Sequence, residues 1–216
     1  MKNKWSGIIV AFIITCLVTL AGIFWFDVPV YDFLRGFDWR GWKILGKIFS
    51  AKNWLVIPFL VVVVFYVRKI IQTKSKVNLF EAYTKVRGSY AFWVFCSVCA
   101  ASVVGLIIKC ILGRARPALY EMWGLPEFEW FTSAYDYHSM PSGHTLAAFA
   151  GLVMIGMLAP RGRWFFWILA VIIGVSRVCV GAHWPSDVIL GAFIGTVTAI
   201  IVKDILSRRV NKQLNK

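Results

Sequence analysis

Apolar residues gather in six runs along this chain, at 7–26, 54–71, 90–112, 144–160, 164–181 and 186–206, with polar or charged stretches between them. Each run comes close to the ~20 residues a helix needs to cross a bilayer's hydrocarbon layer. The pattern predicts an all-α fold: an integral membrane bundle of six transmembrane helices, built as one domain over 1–216 without repeats. The first run follows only Lys2 and Lys4. It is longer than the ~7–15 residue apolar stretch of a signal peptide, so it reads as a retained span in spite of Ala21-Gly22.

Composition agrees. Hydrophobic residues make up 59% of the chain and charged residues 16%, against about 25% charged in a soluble domain. The net charge of +14 raises the question of nucleic acid, and its distribution answers it. With the N-terminus inside, Lys2, Lys4, Arg68, Lys69, Lys74, Lys76, Lys85, Arg87, Arg161, Arg163, Lys203, Arg208, Arg209, Lys212 and Lys216 all fall on the inner side. That is the bias the positive-inside rule describes. No basic stripe stands apart from the membrane flanks, so no nucleic-acid partner is expected; the expected partners are the lipid bilayer and a lipid. Both termini are expected in the cytoplasm. The oligomeric state is not legible.

The first outer connection, 27–53, sets Phe33, Leu34, Phe37, Trp42, Leu45, Ile48 and Phe49 against Arg35, Arg40, Lys43, Lys47 and Lys52 at near-helical spacing. A short amphipathic helix lying in the headgroup layer is expected there. A second outer stretch, 118–140, carries Glu121, Glu127, Glu129 and Asp136 among many aromatics. A loop of that length and composition predicts a folded cap over a site, with His138 as a surface histidine.

Three ionisable clusters stand at outer helix ends. Arg177, His183 and Asp187 fall where one apolar run gives way to the next, an expensive place for charge unless the groups pair or meet water. His183 and Asp187 are four residues apart, as neighbours on one helical turn would be, and a carboxylate there fixes an imidazole's tautomer. Lys109 and Arg116 are seven residues apart, close to two turns, and could share a face before Pro117 ends the helix. A basic residue at a helix end can equally well snorkel to water. Pro141-Ser142-Gly143-His144 opens the fourth run. Ser142 suits an N-cap, Gly143 allows close backbone approach, and the helix start attracts an anion; ordinary capping would read the same way. Three cations, a helix N-terminus and two histidines on one side complement a tetrahedral oxyanion such as phosphate.

Lys109-x6-Arg116-Pro117, Pro141-Ser142-Gly143-His144 and Ser176-Arg177-x5-His183-x3-Asp187 together resemble the three signature motifs of the type 2 phosphatidic acid phosphatase superfamily. Its members are membrane lipid phosphatases related to the vanadium haloperoxidases. The resemblance implies a two-step phosphoryl transfer without metal or other cofactor. His183 is the implied nucleophile, Asp187 its orienting carboxylate, and His144 the acid and then the base. Lys109, Arg116, Ser142, Gly143 and Arg177 are the implied phosphate ligands. Arg114, outside the signature, is expected to face the headgroup or water. The expected substrate is a phosphorylated membrane lipid: phosphatidate, phosphatidylglycerol phosphate, undecaprenyl pyrophosphate or lipid A 1-phosphate. The expected setting is a bacterial inner membrane with the site facing outward. A non-catalytic lipid-binding or transport member, or a halide-oxidising relative, stays open as an alternative. The five cysteines lie in or near apolar runs, where a small buried hydrophobe is the expected role.

Charge asymmetry yields a direct check on topology. A reporter domain fused after Arg161 is expected to read as cytoplasmic, and an external signal there would overturn the six-span order.

Overall fold

The computed structural model describes residues 2–37, 39–72, 90–123 and 128–214. The basic segment holding Lys74, Lys76, Lys85 and Arg87, and Glu127 of the second outer loop, lie outside the described residues. Nine α-helices account for most of what is described. They are α1 Lys2–Ala21, α2 Asp27–Arg35, α3 Arg40–Ile48, α4 Ala51–Gln72, α5 Tyr90–Leu112, α6 Pro117–Trp123, α7 Gly143–Leu158, α8 Arg163–Cys179 and α9 Pro185–Leu214. The all-α expectation holds. Among the described residues, five stretches are long and apolar enough to cross a membrane: Trp5–Arg35, Arg40–Arg68, Tyr90–Leu112, Pro160–Cys179 and Pro185–Arg209.

The fourth apolar run differs. α7 has 16 residues, roughly 24 Å at 1.5 Å per residue, short of the ~30 Å hydrocarbon layer. Its position explains the length. α5, α8 and α9 pack around it, and eleven of its residues, Thr145 to Met154 together with Gly156, are buried. A helix sheathed by protein has no lipid thickness to match. The outer helices show the converse, with Ile9, Phe12, Ile13, Ile14 and Leu17 of α1 turned outward.

Small residues let the sheath close on α7. A Cβ placed on Gly195 of α9 would stand 2.4 Å from the Leu146 carbonyl oxygen, and one on Gly191 would stand 2.9 Å from that of Ser142. The Trp54 ring of α4 packs against Gly151, and Gly105 of α5 receives the Leu146 side chain. Between apolar surfaces in lipid, close backbone approach of this kind replaces the hydrophobic drive that water would supply. The Ser97 hydroxyl adds a buried hydrogen bond to the Ala150 carbonyl at 2.8 Å.

The first outer connection is not one helix in the headgroup layer. α1 passes through a π-helical turn, Gly22–Phe26, in which the Asp27 N–H reaches back to the Gly22 carbonyl. The extra residue in that turn re-aims the chain, and Asp27 enters the protein at 1% exposure. α2 and α3 follow as two nine-residue helices. α3 packs on α8, and Leu45 and Phe49 join the core cluster.

The helix contacts around Gly195 give a stability prediction. Gly195→Ala should lower the thermal unfolding midpoint in detergent, with a cost of about 1–3 kcal/mol from overpacking. Gly7→Ala, which meets nothing within 4 Å, should leave the midpoint unchanged. Equal midpoints for both variants would contradict this packing.

Candidate active site

One end of the bundle collects the exit of α5, the loop before α7, the start of α7 and the turn from α8 to α9. α5 stops at Leu112 rather than running on to Pro117. Gly113 takes a left-handed φ of 53°, a conformation that glycine adopts without steric cost. The turn brings its carbonyl to the Glu129 N–H at 2.7 Å. Lys109 and Arg116 therefore do not share a helix face. Residues 113 to 116 lie outside any helix, with Arg114 bridged to Phe128, and the side chains of Arg114 and Arg116 part company.

Arg114 points inward, contrary to the expectation that it meets headgroup or water. It is 0% exposed. Its Nη2 lies 2.7 Å from Asp27 Oδ2 and its Nη1 lies 2.8 Å from Asp187 Oδ1 and 2.7 Å from Ser186 Oγ. Ser186 in turn donates its N–H to Asp27 Oδ1 at 2.8 Å, and its hydroxyl contacts Asp27 Oδ2. Asp187 Oδ2 accepts the Ser139 hydroxyl and the Trp184 N–H. Charges this deep are tolerated only when paired and hydrogen-bonded, and here every carboxylate oxygen has a partner.

His183 lies beside this network, in the turn ahead of α9 rather than on the same helical turn as Asp187. Its Nδ1 is 3.6 Å from Asp187 Oδ2, slightly beyond hydrogen-bond length. Burial, reinforced by the Lys109 and Arg116 charges, pushes its pKa down to about 3 against the opposing pull of Asp187. The ring is therefore neutral near pH 7.

Arg116 points the other way, toward the site. Its Nη1 reaches the Ala182 carbonyl at 3.2 Å, its Nη2 the His138 carbonyl at 3.3 Å, and its guanidinium stacks over Tyr135. Lys109 Nζ donates to the carbonyls of His138 at 2.6 Å and Ser139 at 3.2 Å. Arg177 presses on α3, where a Cβ on Gly46 would stand 1.8 Å from its Nη1. Among the described residues no carboxylate forms an ion pair with Lys109, Arg116 or Arg177. Backbone carbonyls hold Lys109 and Arg116 in place and leave their charge largely uncancelled.

The charges of Arg177, Arg116 and Lys109 all reach the His144 ring, which also hydrogen-bonds to the Gly46 backbone. Gly143 lies against Lys109, whose Cε would sit 3.9 Å from an added Cβ. Ser142 occupies the N-cap position of α7 without capping it through its side chain. Its hydroxyl instead accepts that of Thr145 at 2.9 Å, and its N–H donates to the Asp187 carbonyl at 3.0 Å. All eight expected site residues thus gather at one end of the bundle.

Three contributors were not expected. His138 is half-buried, with its ring nitrogen 3.1 Å from the Thr132 carbonyl, and its own carbonyl holds both Lys109 and Arg116. Gly46 turns α3 into a wall of the site; a glycine inside an amphipathic helix, costing up to ~1 kcal/mol, was the available signal. Asp27 carried a signal too, since an acid at the end of an apolar run is a functional-site hypothesis by default.

Residues 89–211 match the PAP2 superfamily, and the chain belongs to that family. It is 34% identical over 128 residues to a lipid A 1-phosphatase of Rhizobium johnstonii, covering 56% of this chain and 52% of that protein. It is 32% identical over 171 residues to a lipid A 1-phosphatase of Rhizobium etli, covering 74% and 71%. The chain thus spans about half the length of the first relative and more of the second. The crystal structure of Aquifex aeolicus LpxE shares the fold, with a TM-score of 0.51 at 18% identity, over 85% of this chain and 98% of that one.

The buried network makes Arg114 a structural linchpin in a measurable sense. Arg114→Met leaves two buried carboxylates without their cation and should cost about 3–5 kcal/mol, seen as a lower unfolding midpoint in detergent. Arg116→Met, which breaks no ion pair among the described residues, should shift the midpoint far less. Similar shifts for the two would contradict the assignment.

Proposed function

We propose that this PAP2-superfamily chain removes phosphate from a phosphorylated membrane lipid, by two phosphoryl transfers through a phosphohistidine on His183. The observation that carries this reading is the meeting of three uncompensated cations with two histidines at the head of α7. Such a site suits a ligand with about two negative charges on tetrahedral oxygens.

In the first step the neutral His183 ring attacks phosphorus through Nε2, its Nδ1 being turned to Asp187. The bond from phosphorus to the lipid oxygen breaks, and His144 gives that oxygen a proton. One His144 ring nitrogen is engaged by the Gly46 backbone, and the other is proposed to exchange the proton. In the second step His144 takes a proton from water, the water oxygen attacks phosphorus, and the N–P bond breaks. Inorganic phosphate leaves and His183 is restored. Lys109, Arg116 and Arg177 neutralise the non-bridging oxygens as charge spreads over them, with the Ser142 hydroxyl and Gly143 N–H as further donors. Three fixed cations supply the charge stabilisation that a metal gives elsewhere, so the reaction is proposed to need none.

The two Rhizobium relatives favour a lipid A-type 1-phosphate as the substrate within this class. The site end is proposed to face away from the cytoplasm, across a bacterial inner membrane. Arg68 of α4, Arg161 and Arg163 between α7 and α8, and Arg208 of α9 all lie toward the opposite helix ends, as the positive-inside rule requires of the cytoplasmic side.

Purified protein given lipid A 1-phosphate, phosphatidate, phosphatidylglycerol phosphate and undecaprenyl pyrophosphate in excess chelator should release inorganic phosphate. His183→Ala should abolish release, and His144→Ala should reduce it about 10²–10⁴-fold. Undiminished turnover in both variants, or turnover only with added divalent metal, would remove the assignment.

A further inference from the structure

We infer that Asp27 is a positioning residue of this site: acting through Arg114, it leaves Asp187 with its negative charge available to the His183 ring. The inference rests on the two-step reading above and goes beyond it. Asp27 lies outside residues 89–211, the part of the chain that matches the family, and no signature motif includes it.

The argument starts from charge. A phosphorylated imidazole that keeps its Nδ1 proton is cationic, so positive charge grows on His183 as the N–P bond forms. Asp187, 3.6 Å from Nδ1, is the carboxylate placed to stabilise that charge. Yet Asp187 also holds a guanidinium at 2.8 Å. A one-to-one pair of Asp187 and Arg114 would be neutral as seen from His183, and its field would largely cancel. Asp27, 2.7 Å from the other arm of the same guanidinium, alters the balance. With two carboxylates on one cation, the buried cluster keeps a net negative charge. Water cannot screen it, because Asp27, Arg114 and Asp187 are each at most 1% exposed, and interactions are stronger in such surroundings.

The two ends of Asp187 are divided accordingly. Oδ1 belongs to Arg114, while Oδ2, held by Ser139 and Trp184, is the oxygen that faces His183. Asp27 also fixes the start of α9 through the Ser186 N–H, one residue from Asp187. It therefore sets both where Asp187 stands and how much charge it presents.

The consequences are specific to the chemical step. Asp27 does not touch the cations that hold phosphate, so its loss should lower kcat and leave KM unchanged or lower, since a negative charge has been taken from near an anion site. Asp27→Asn should reduce kcat about 10- to 100-fold, the range found where a residue acts by orienting the ligand of a metal. Asp27→Glu should stay near wild type. The decisive variant is the double Asp27→Asn/Arg114→Gln, which removes one charge of each sign and restores the net negative charge. It should turn over faster than Asp27→Asn.

Kinetics of phosphate release from the lipid that the wild type hydrolyses, on monodisperse protein in detergent, reads all of these. A double variant that is folded yet no faster than Asp27→Asn overturns the inference, as does an Asp27→Asn variant that raises KM with kcat intact. If Asp27→Asn does not fold, the comparison is Asp27→Glu against the double variant, and a folded double variant without turnover is the overturning result. Failure of the wild type on every lipid defeats the functional reading itself. An active wild type and inactive His183→Ala with an unaffected Asp27→Asn defeat only the role of Asp27.

Discussion

Arg114 between Asp27 and Asp187 is the interaction on which the arrangement of this protein turns. Three charges buried to 1% exposure or less are costly to desolvate, and such clusters are weak contributors to net stability. What they provide is uniqueness. A guanidinium has donors in a rigid fork, and this one engages two carboxylates and a serine that come from separate parts of the chain. Moving any one of them by a helical turn strands a buried charge. The end of the first span, the exit of α5 and the start of α9 are thereby tied to one another at the depth where the candidate site lies.

Arg114 and Arg116 show how little residue type alone decides. Two residues apart, one is neutralised on both arms and the other touches only carbonyls and an aromatic ring among the described residues. Between them, Ala115 gives its carbonyl to the Trp184 indole at 3.0 Å. Charge that is cancelled holds the scaffold; charge that is left over attracts an anion. Carbonyl oxygens suit the second task, because they fix a cation's direction with a partial charge that a phosphate can outbid.

Much of this could be read from the residues in order. Each of the six apolar runs became a helix, five of them long and apolar enough among the described residues to cross a membrane, because a run near 20 residues has few other solutions. The three motifs met at one end of the bundle, though not with the local geometry their spacing implied. What could not be read were effects that depend on where the backbone turns. One left-handed glycine ended α5 early and reversed the expected fate of Arg114. Pro185 started α9 two residues after His183, so the pairing of His183 with Asp187 crosses a helix start rather than following one turn. The length of α7 was legible, but that a short helix can sit inside a protein sheath follows only from Gly105, Gly191 and Gly195 lying on its neighbours. The part played by α3 was hidden for a similar reason. Its amphipathic pattern records a surface, whereas Gly46 touches the site with its backbone.

The short central helix and the buried network are two halves of one constraint. α7 presents its N-terminus at a fixed depth because glycine contacts on α9 lock the two helices together, and the Ser142 N–H is tied to the Asp187 carbonyl at 3.0 Å. Asp187 is itself held by Arg114, and Arg114 by Asp27. A shift in the first span would therefore be felt at the mouth of α7 through a chain of bonds, none of which touches the anion site directly. In lipid, where apolar contacts between helices slide at little cost, polar links of fixed length are what can hold His144 and His183 in register. Placing charge inside the bundle is thus the means by which a membrane fold, soft along its apolar faces, keeps the geometry of its candidate site rigid.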